Sequence, residues 1–167
     1  MLERLGGIYS EQGKQPKAIE VYERLVRESP SRLSTPEVYA NLVELYDISS
    51  REAEAASTLR GLPVLFNGTS KWASANSSNP VAVKAADARV ERLLHRWGTL
   101  YHNRGQKSKN PALVALAGGV YEAYLQHFTQ ADASYEIRFY LAEIQFDEQR
   151  YESAAKNYSL VANARPK

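Results

Sequence analysis

The chain has 167 residues, of which 44% are hydrophobic and 24% charged, and its formal net charge is +2 at pH 7. These values are ordinary for a globular protein, and no apolar run approaches the roughly 18 to 20 residues that a membrane-spanning helix needs. Cysteine is absent, which excludes disulfides, thiolate nucleophiles and cysteine-ligated metals. The charge is uneven, because residues 80–112 carry 7 Lys/Arg against 2 Asp/Glu.

The first two predicted elements are short helices joined by a turn. Apolar residues recur at helical spacing in residues 2–9 and again in residues 19–26. Gly13 can adopt a positive φ and Pro16 suits the start of a helix, so both mark the turn between them. Pro30 ends the second helix because it lacks a backbone donor. Neither helix can bury its apolar stripe alone, so the two are expected to pack as a pair.

The middle of the chain predicts a second pair, a loop and a longer helix. Thr35 is a predicted N-cap followed by Pro36 at the first helical position, and the pattern of residues 35–66 predicts two helices. Residues 67–80 are rich in Ser, Asn and Gly, which favours a loop. Residues 81–103 predict one long amphipathic helix, which begins a third, elongated or degenerate unit.

One set of intervals recurs along the chain. A small residue is followed by an aromatic residue four positions later, an aliphatic one after three more and proline after five more. The first set is Ala18, Tyr22, Leu25 and Pro30, and the last is Ala154, Tyr158, Val161 and Pro166. The third unit keeps part of it in Ala117, Tyr121 and Tyr124. One stacking unit is therefore used several times.

These intervals resemble the tetratricopeptide repeat, a helix–turn–helix unit of about 34 residues. The resemblance implies an all-α fold, an α-solenoid of antiparallel helix pairs with about eight helices. Two pairs would occupy residues 1–66, a loop residues 67–80, and an elongated pair plus one further pair residues 81–167. The signature positions are Leu5, Gly6, Tyr9, Ala18, Tyr22 and Pro30 in the first repeat and Leu141, Ala142, Ala154, Tyr158 and Pro166 in the last.

The last repeat departs from the pattern at one position. Gln145 stands where the repeat has an aromatic residue, and we expect the neighbouring Phe146 to take its role. Residues 93–128 and 133–161 also resemble segments of large repeat proteins from deltaproteobacteria, including envelope proteins of the myxobacterial gliding machinery. This second resemblance implies a scaffold of the bacterial periplasm or outer membrane, with the cytoplasm as the alternative.

The tetratricopeptide resemblance also implies a binding surface. In that family the first helix of each pair lines a concave groove, with its second, fifth, ninth and twelfth positions facing the ligand. Because most of the matching side chains here are acidic, a carboxylate ligand would be repelled, and we expect a protein segment with basic residues flanking an apolar anchor. The alternative is that these carboxylates only keep an exposed face soluble. The matching residues are Glu37, Ala40, Glu44 and Asp47 in the second pair and Glu136, Phe139, Glu143 and Phe146 in the last.

The sequence contains no recognisable catalytic, cofactor or metal motif. It has no phosphate-binding loop, no H-E-x-x-H and no nucleophile elbow. His95 and His102 share a helix face, but no carboxylate follows either at i+4, so no metal site is predicted. We therefore expect a non-catalytic protein–protein interaction scaffold. The alternatives are nucleic-acid or anionic-surface binding through residues 80–112, where His102, Arg104, Lys107 and Lys109 cluster, and a regulatory domain of an enzyme.

The repeat pattern reaches both ends of the sequence. Leu2 and Leu5 already belong to a first helix, and Pro166 follows a second one. We therefore expect the chain to be a piece of a longer array. Its outer repeats would leave their stacking faces in water, and at high concentration the fragment would self-associate through them.

Overall fold

The computed structural model describes residues 1–164, and in them it contains nine α-helices and no β-strand. The prediction of an all-α fold is confirmed. None of the helices described is both long and apolar enough to span a membrane. The helices are α1 Leu2–Glu11, α2 Gln15–Glu28, α3 Thr35–Ile48, α4 Glu52–Phe66, α5 Lys71–Ala75, α6 Pro80–Ser108, α7 Pro111–His127, α8 Ser134–Asp147 and α9 Tyr151–Asn163.

The chain divides into two compact units, the first ending at Val90 and the second beginning at Glu91. In the first unit α1 packs on α2, α2 on α3, α3 on α4, and α4 on the short α5. In the second unit α7 packs on α8 and α8 on α9, while the C-terminal half of α6 contacts α7 through Gly98 and Gly105. Each unit is thus built from helices that contact their neighbours in sequence.

Four of the turns between helices have the same backbone geometry. Each contains one residue in the left-handed region, with φ of 68° at Gly13, 57° at Ser50, 53° at Lys109 and 60° at Gln149. In each, the next residue donates its N–H to the carbonyl five positions earlier at 2.8 Å. This bond closes a helix end by the Schellman pattern and satisfies a carbonyl that the helix leaves free. Only the first of the four turns uses the glycine that the sequence analysis recognised.

The shared turn shows how the third pair is elongated. The donor Lys14, just before α2, lies four residues before the buried Ala18, whereas the donor Asn110, just before α7, lies seven residues before the buried Ala117. On the N-terminal side of the turn, the carbonyl of α1 that accepts this bond belongs to Tyr9. In α6 the corresponding acceptor is the carbonyl of Gly105, which lies four residues beyond Tyr101. The third pair therefore resembles the first with about one helical turn added to each helix next to the turn.

Glycine and alanine allow the paired helices to approach closely. A Cβ atom on Gly6 would lie 2.5 Å from the ring of Tyr22, and one on Gly98 would lie 2.7 Å from the ring of Tyr121. Ala18 and Ala154, the small residues that begin the first and last sets of intervals, are fully buried. Gly6 and Gly98 are therefore positions of close contact between helices, and the two alanines are buried.

The prediction of a loop over residues 67–80 is wrong in part, because this segment contains α5. Ser70 caps the helix, its Oγ accepting from the N–H of Ala73 at 3.1 Å. Trp72 is only 4% exposed, and its indole N–H donates to the carbonyl of Arg32 at 2.8 Å. Asn76 donates to the carbonyl of Ser31 at 3.0 Å. Ser and Asn are as common at helix ends as in loops, so composition alone could not distinguish the two.

Two local expectations are corrected by the structure. Thr35 is the first residue of α3 rather than its cap, and its hydroxyl donates to the carbonyl of Ser29 at 3.5 Å. Phe146 does not replace Gln145: Gln145 is buried and accepts from the side-chain amide of Asn157 at 2.8 Å, while Phe146 is 54% exposed. Adjacent helical residues point about 100° apart, so Phe146 cannot occupy the position of Gln145.

The first and last described helices bury the fewest side chains. Gly6 is the buried residue of α1 and Ala154 that of α9, whereas Tyr158 and Val161 are half-buried and Leu160 is exposed. Pro166, the last signature position, lies outside the described residues. Self-association through these faces stays a prediction.

Candidate functional site

The acidic residues predicted on the first helix of the second pair lie on an accessible face of α3. Glu37 and Glu44 are exposed, and Ala40 and Asp47 are half-buried. Glu37 already has a basic neighbour within the first unit, since Arg89 Nη2 lies 3.6 Å from its Oε2. An ion pair this exposed contributes little to the free energy of unfolding.

The four residues predicted on α8, Glu136, Phe139, Glu143 and Phe146, are all exposed. The face combines carboxylates with aromatic rings. The hydroxyl of Tyr140 donates to Glu136 at 2.6 Å, and that of Tyr158 donates to Glu143. Phe139 is 41% exposed, with its ring centroid 6.2 Å from that of Tyr158. Tyrosine donors thus hold two of the carboxylates in place next to an accessible phenyl ring.

This face of α8 borders a cavity of about 330 Å³ in the second unit, which we call the acidic aromatic cleft. One wall is a stripe of α6 with spacing i, i+3, i+4 and i+7, another is α8, and α7 completes it. That spacing places the α6 side chains on one face of the helix. The lining residues are Thr99, His102, Asn103 and Gln106 of α6, Val114 and Tyr121 of α7, and Phe139, Tyr140, Glu143, Ile144 and Asp147 of α8.

Sequence reasoning found two residues of this cleft, Phe139 and Glu143, and misjudged His102. It grouped His102 with the lysines and arginines that follow, but the structure buries it against two tyrosines. The His102 ring centroid lies 5.4 Å from that of Tyr140 and 5.9 Å from that of Tyr121. The Tyr121 hydroxyl lies 3.4 Å from Nδ1 of His102. The polar stripe of α6 could have placed His102 on one helix face, but not its tyrosine neighbours on α7 and α8.

The electrostatics of the cleft favour a cation. Burial lowers the pKa of His102, and the nearby carboxylate of Asp147 offsets this only in part, so the imidazole is neutral at pH 7. Burial likewise raises the pKa of Tyr121 to about 12, which keeps its phenol neutral. Glu143 and Asp147 bring negative charge to the lining, which has no lysine or arginine among the residues that the structure describes. Carboxylates beside aromatic faces are the groups that bind ammonium and guanidinium ions.

Several arginines of the predicted basic segment already have partners. Besides Arg89, which pairs with Glu37, Arg96 lies over the ring of Trp97 at 5.5 Å and Arg104 over that of Tyr101 at 6.0 Å. Trp97 and Tyr101 are buried, so neither ring can stack on a nucleic-acid base. This arrangement does not favour nucleic-acid binding through residues 80–112.

Comparisons with protein-family models, curated proteins and solved structures found no match to this chain. A search of the described residues also found no group of three or more His, Asp or Glu side chains placed to hold a metal ion. Conclusions about function therefore depend on the geometry of the chain's own residues.

The buried imidazole predicts an acid-sensitive stability. The pKa of His102 is lowered on folding, so the unfolded chain binds the proton more readily. The stabilisation is fully present above about pH 6.5, the unfolded value, and is lost as the pH falls through the folded value. We expect His102→Gln to reduce the loss of stability between about pH 7.5 and about pH 5, measured by urea denaturation. His127→Gln, which alters an exposed imidazole, is the control and should retain the wild-type loss. If the free energy of unfolding of His102→Gln had the same pH dependence as the wild type, the acid sensitivity would not come from the buried His102.

Proposed function

We propose that this chain is a non-catalytic protein-binding scaffold that holds a basic segment of a partner protein. The observation that carries the proposal is the acidic aromatic cleft, an accessible cavity lined by two carboxylates and four aromatic or imidazole rings, with no lysine or arginine among the described residues of its lining. Proteins use such surroundings to bind the side chains of lysine and arginine.

We further propose that the helix pairs are repeats of the tetratricopeptide type. Three features support this: the same closing turn in four pairs, the buried alanines at equivalent positions, and the close contact of a first-helix glycine with a second-helix tyrosine in two of them. The third pair adds a match that the sequence analysis overlooked. The buried residues Leu94, Trp97, Gly98 and Tyr101 of α6 have the spacing of Leu2, Leu5, Gly6 and Tyr9 of α1.

In the proposed complex, a basic side chain of the partner enters the cleft. Its charge is balanced by Glu143 and Asp147, and its aliphatic stem packs on Phe139. An apolar residue of the partner can then contact the exposed rings of Phe146 and Tyr151, whose centroids lie 5.4 Å apart. Both charge attraction and contact with the aromatic rings contribute to this binding. The affinity therefore falls as salt screens the charges, but the contribution of the ring contacts remains.

A capped hexapeptide of alternating arginine and leucine is a suitable probe, with the glutamate–leucine peptide as its charge-reversed counterpart. In calorimetric titrations at low salt we expect only the basic peptide to bind. Glu143→Lys should weaken it about tenfold, because an attractive charge becomes a repulsive one. Glu44→Lys tests the acidic face of α3 separately and should have a smaller effect if the cleft is the main site.

Tyr158→Phe is the matched control for Glu143→Lys. It removes the hydroxyl that donates to Glu143 while leaving the carboxylate charge in place, so peptide affinity should stay within about twofold of the wild type. Unchanged or tighter binding of the basic peptide by Glu143→Lys would count against the proposal, as would equal binding of the two peptides.

A further inference from the structure

The first unit contains a second cavity, larger than the acidic aromatic cleft and different in chemistry. It has a volume of about 570 Å³ and lies where α3, α4, α5 and the turn after α2 meet. Its aromatic wall consists of Tyr39, Phe66 and Trp72, with ring centroids 5.7 Å apart for Tyr39 and Phe66 and 5.3 Å apart for Phe66 and Trp72, both edge to face. Val64 and Leu65 also line it and are 63% and 42% exposed. A mostly apolar cavity of this size is in the range that proteins use for small ligands.

Most polar groups around this cavity are already engaged within the protein. Asn67 Oδ1 accepts from the N–H of Thr69 at 2.9 Å and from its hydroxyl at 2.8 Å. The hydroxyl of Ser70 caps α5, and the indole N–H of Trp72 donates to Arg32. These bonds fix the shape of the wall, and they leave few polar groups to recognise a ligand.

Two donors that line the cavity have no partner among the described residues. Lys71 is exposed and makes no ion pair or hydrogen bond there, and the same holds for the hydroxyl of Tyr39. Burial raises the pKa of Tyr39, so the phenol remains a donor at neutral pH. Among the described residues that line the cavity there is no aspartate or glutamate, and Lys71 is the one charged residue. The cavity therefore combines a large apolar wall with one positive charge.

We propose that this cavity binds an aliphatic carboxylate of roughly ten carbons. The hydrocarbon chain packs on the aromatic wall and on Val64 and Leu65, and the carboxylate lies at Lys71, with the Tyr39 hydroxyl as a further donor. The single positive charge of Lys71 balances one carboxylate, and the apolar wall provides the surface on which a hydrocarbon chain packs. The site belongs to the first unit and does not depend on the proposed binding of basic segments in the second.

Calorimetric titration of the whole chain with sodium decanoate, below its micelle-forming concentration, tests the proposal. We expect one site per chain. Octanoate should bind about tenfold more weakly, because each methylene group lost from an apolar wall costs roughly threefold to fourfold in affinity. Decyltrimethylammonium, which has the same chain length and the opposite charge, should bind at least about tenfold more weakly than decanoate.

Lys71→Gln removes the charge from the rim and should weaken decanoate binding about fivefold. Leu65→Asp places a carboxylate in the apolar wall and should abolish binding. Lys156→Gln, a change to an exposed lysine of α9 in the other unit, is the matched control and should bind like the wild type. Circular dichroism of each variant shows whether the helices are intact.

Three results would overturn the proposal. The first is the absence of saturable binding at millimolar decanoate. The second is equal binding of decanoate and decyltrimethylammonium with no effect of Lys71→Gln, which would leave only an apolar surface. The third is tighter binding of trileucine with a free terminal carboxylate than of decanoate, which would indicate a peptide C-terminus as the ligand.

Discussion

Replacing Trp72 by alanine is expected to lower the free energy of unfolding by about 3 kcal/mol, the lower end of the usual cost of removing a large buried aromatic ring. Trp72 is 4% exposed and packs edge to face on Phe66. Its indole N–H is also the donor to the carbonyl of Arg32, which joins α5 to the turn after α2. The lower end applies because the ring lines a cavity, so the neighbouring side chains have room to relax. Urea denaturation followed by circular dichroism measures the change.

Lys71→Ala is the control for Trp72→Ala, because it alters the adjacent exposed residue of the same helix. It should change the free energy of unfolding by no more than about 0.5 kcal/mol. If residues 67–80 were a solvated loop, as their composition suggested, both substitutions would have small effects. A Trp72→Ala variant as stable as Lys71→Ala would therefore contradict the structure of α5.

Replacing Gly98 by alanine is expected to destabilise the second unit by about 1–2 kcal/mol. The new Cβ would lie 2.7 and 2.9 Å from two ring atoms of Tyr121 and 3.3 Å from a methyl group of Val120. Tyr121 is fully buried, so its ring cannot move without displacing its own neighbours. Overpacking of this kind costs about 1–3 kcal/mol or more, and the gain in helix propensity offsets about 1 kcal/mol of it.

Gly61→Ala makes the same chemical change in α4, where a Cβ would have no neighbour within 4 Å. Only the gain in helix propensity remains at that position, so we expect stabilisation by about 0.5–1 kcal/mol. The two variants separate overpacking from helix propensity. At Gly98 overpacking lowers the free energy of unfolding while helix propensity raises it, whereas at Gly61 only helix propensity acts. If both variants raised the free energy of unfolding, α6 and α7 would not approach closely at Gly98.

Much of the fold could be predicted from local spacing. The intervals that begin at Ala18 and Ala154 require helices, because only a period near 3.6 brings such residues to one face. The small residue that begins each set is expected on the buried side of its helix, and the structure buries both alanines. Gly13 and Pro16 likewise marked their turn, since the backbone conformations that they favour are intrinsic to those residues.

The cleft could be predicted only in part. The resemblance to the tetratricopeptide repeat implied an accessible position for Phe139 and Glu143, and both are exposed on α8. The burial of His102 depends on Tyr121 and Tyr140, which approach it from α7 and α8. Local sequence carries no sign of that approach, so a histidine followed by lysines and arginines was assigned to a basic surface. The shift of its pKa follows from this burial and could not be predicted from the sequence.

The sequence by itself determined the helices other than α5 and the pairing of neighbouring helices, because these follow from the period and size of residues close together in the chain. The tertiary structure decided the rest. Residues 71–75 are helical because Trp72 finds a buried site and the carbonyl of Arg32, 40 positions earlier in the chain. Gln145 can be buried because the side-chain amide of Asn157, on the next helix, donates to its side-chain oxygen. Burying a polar or aromatic side chain is favourable only when groups from other helices replace the hydrogen bonds that water provided, and those groups are distant in sequence.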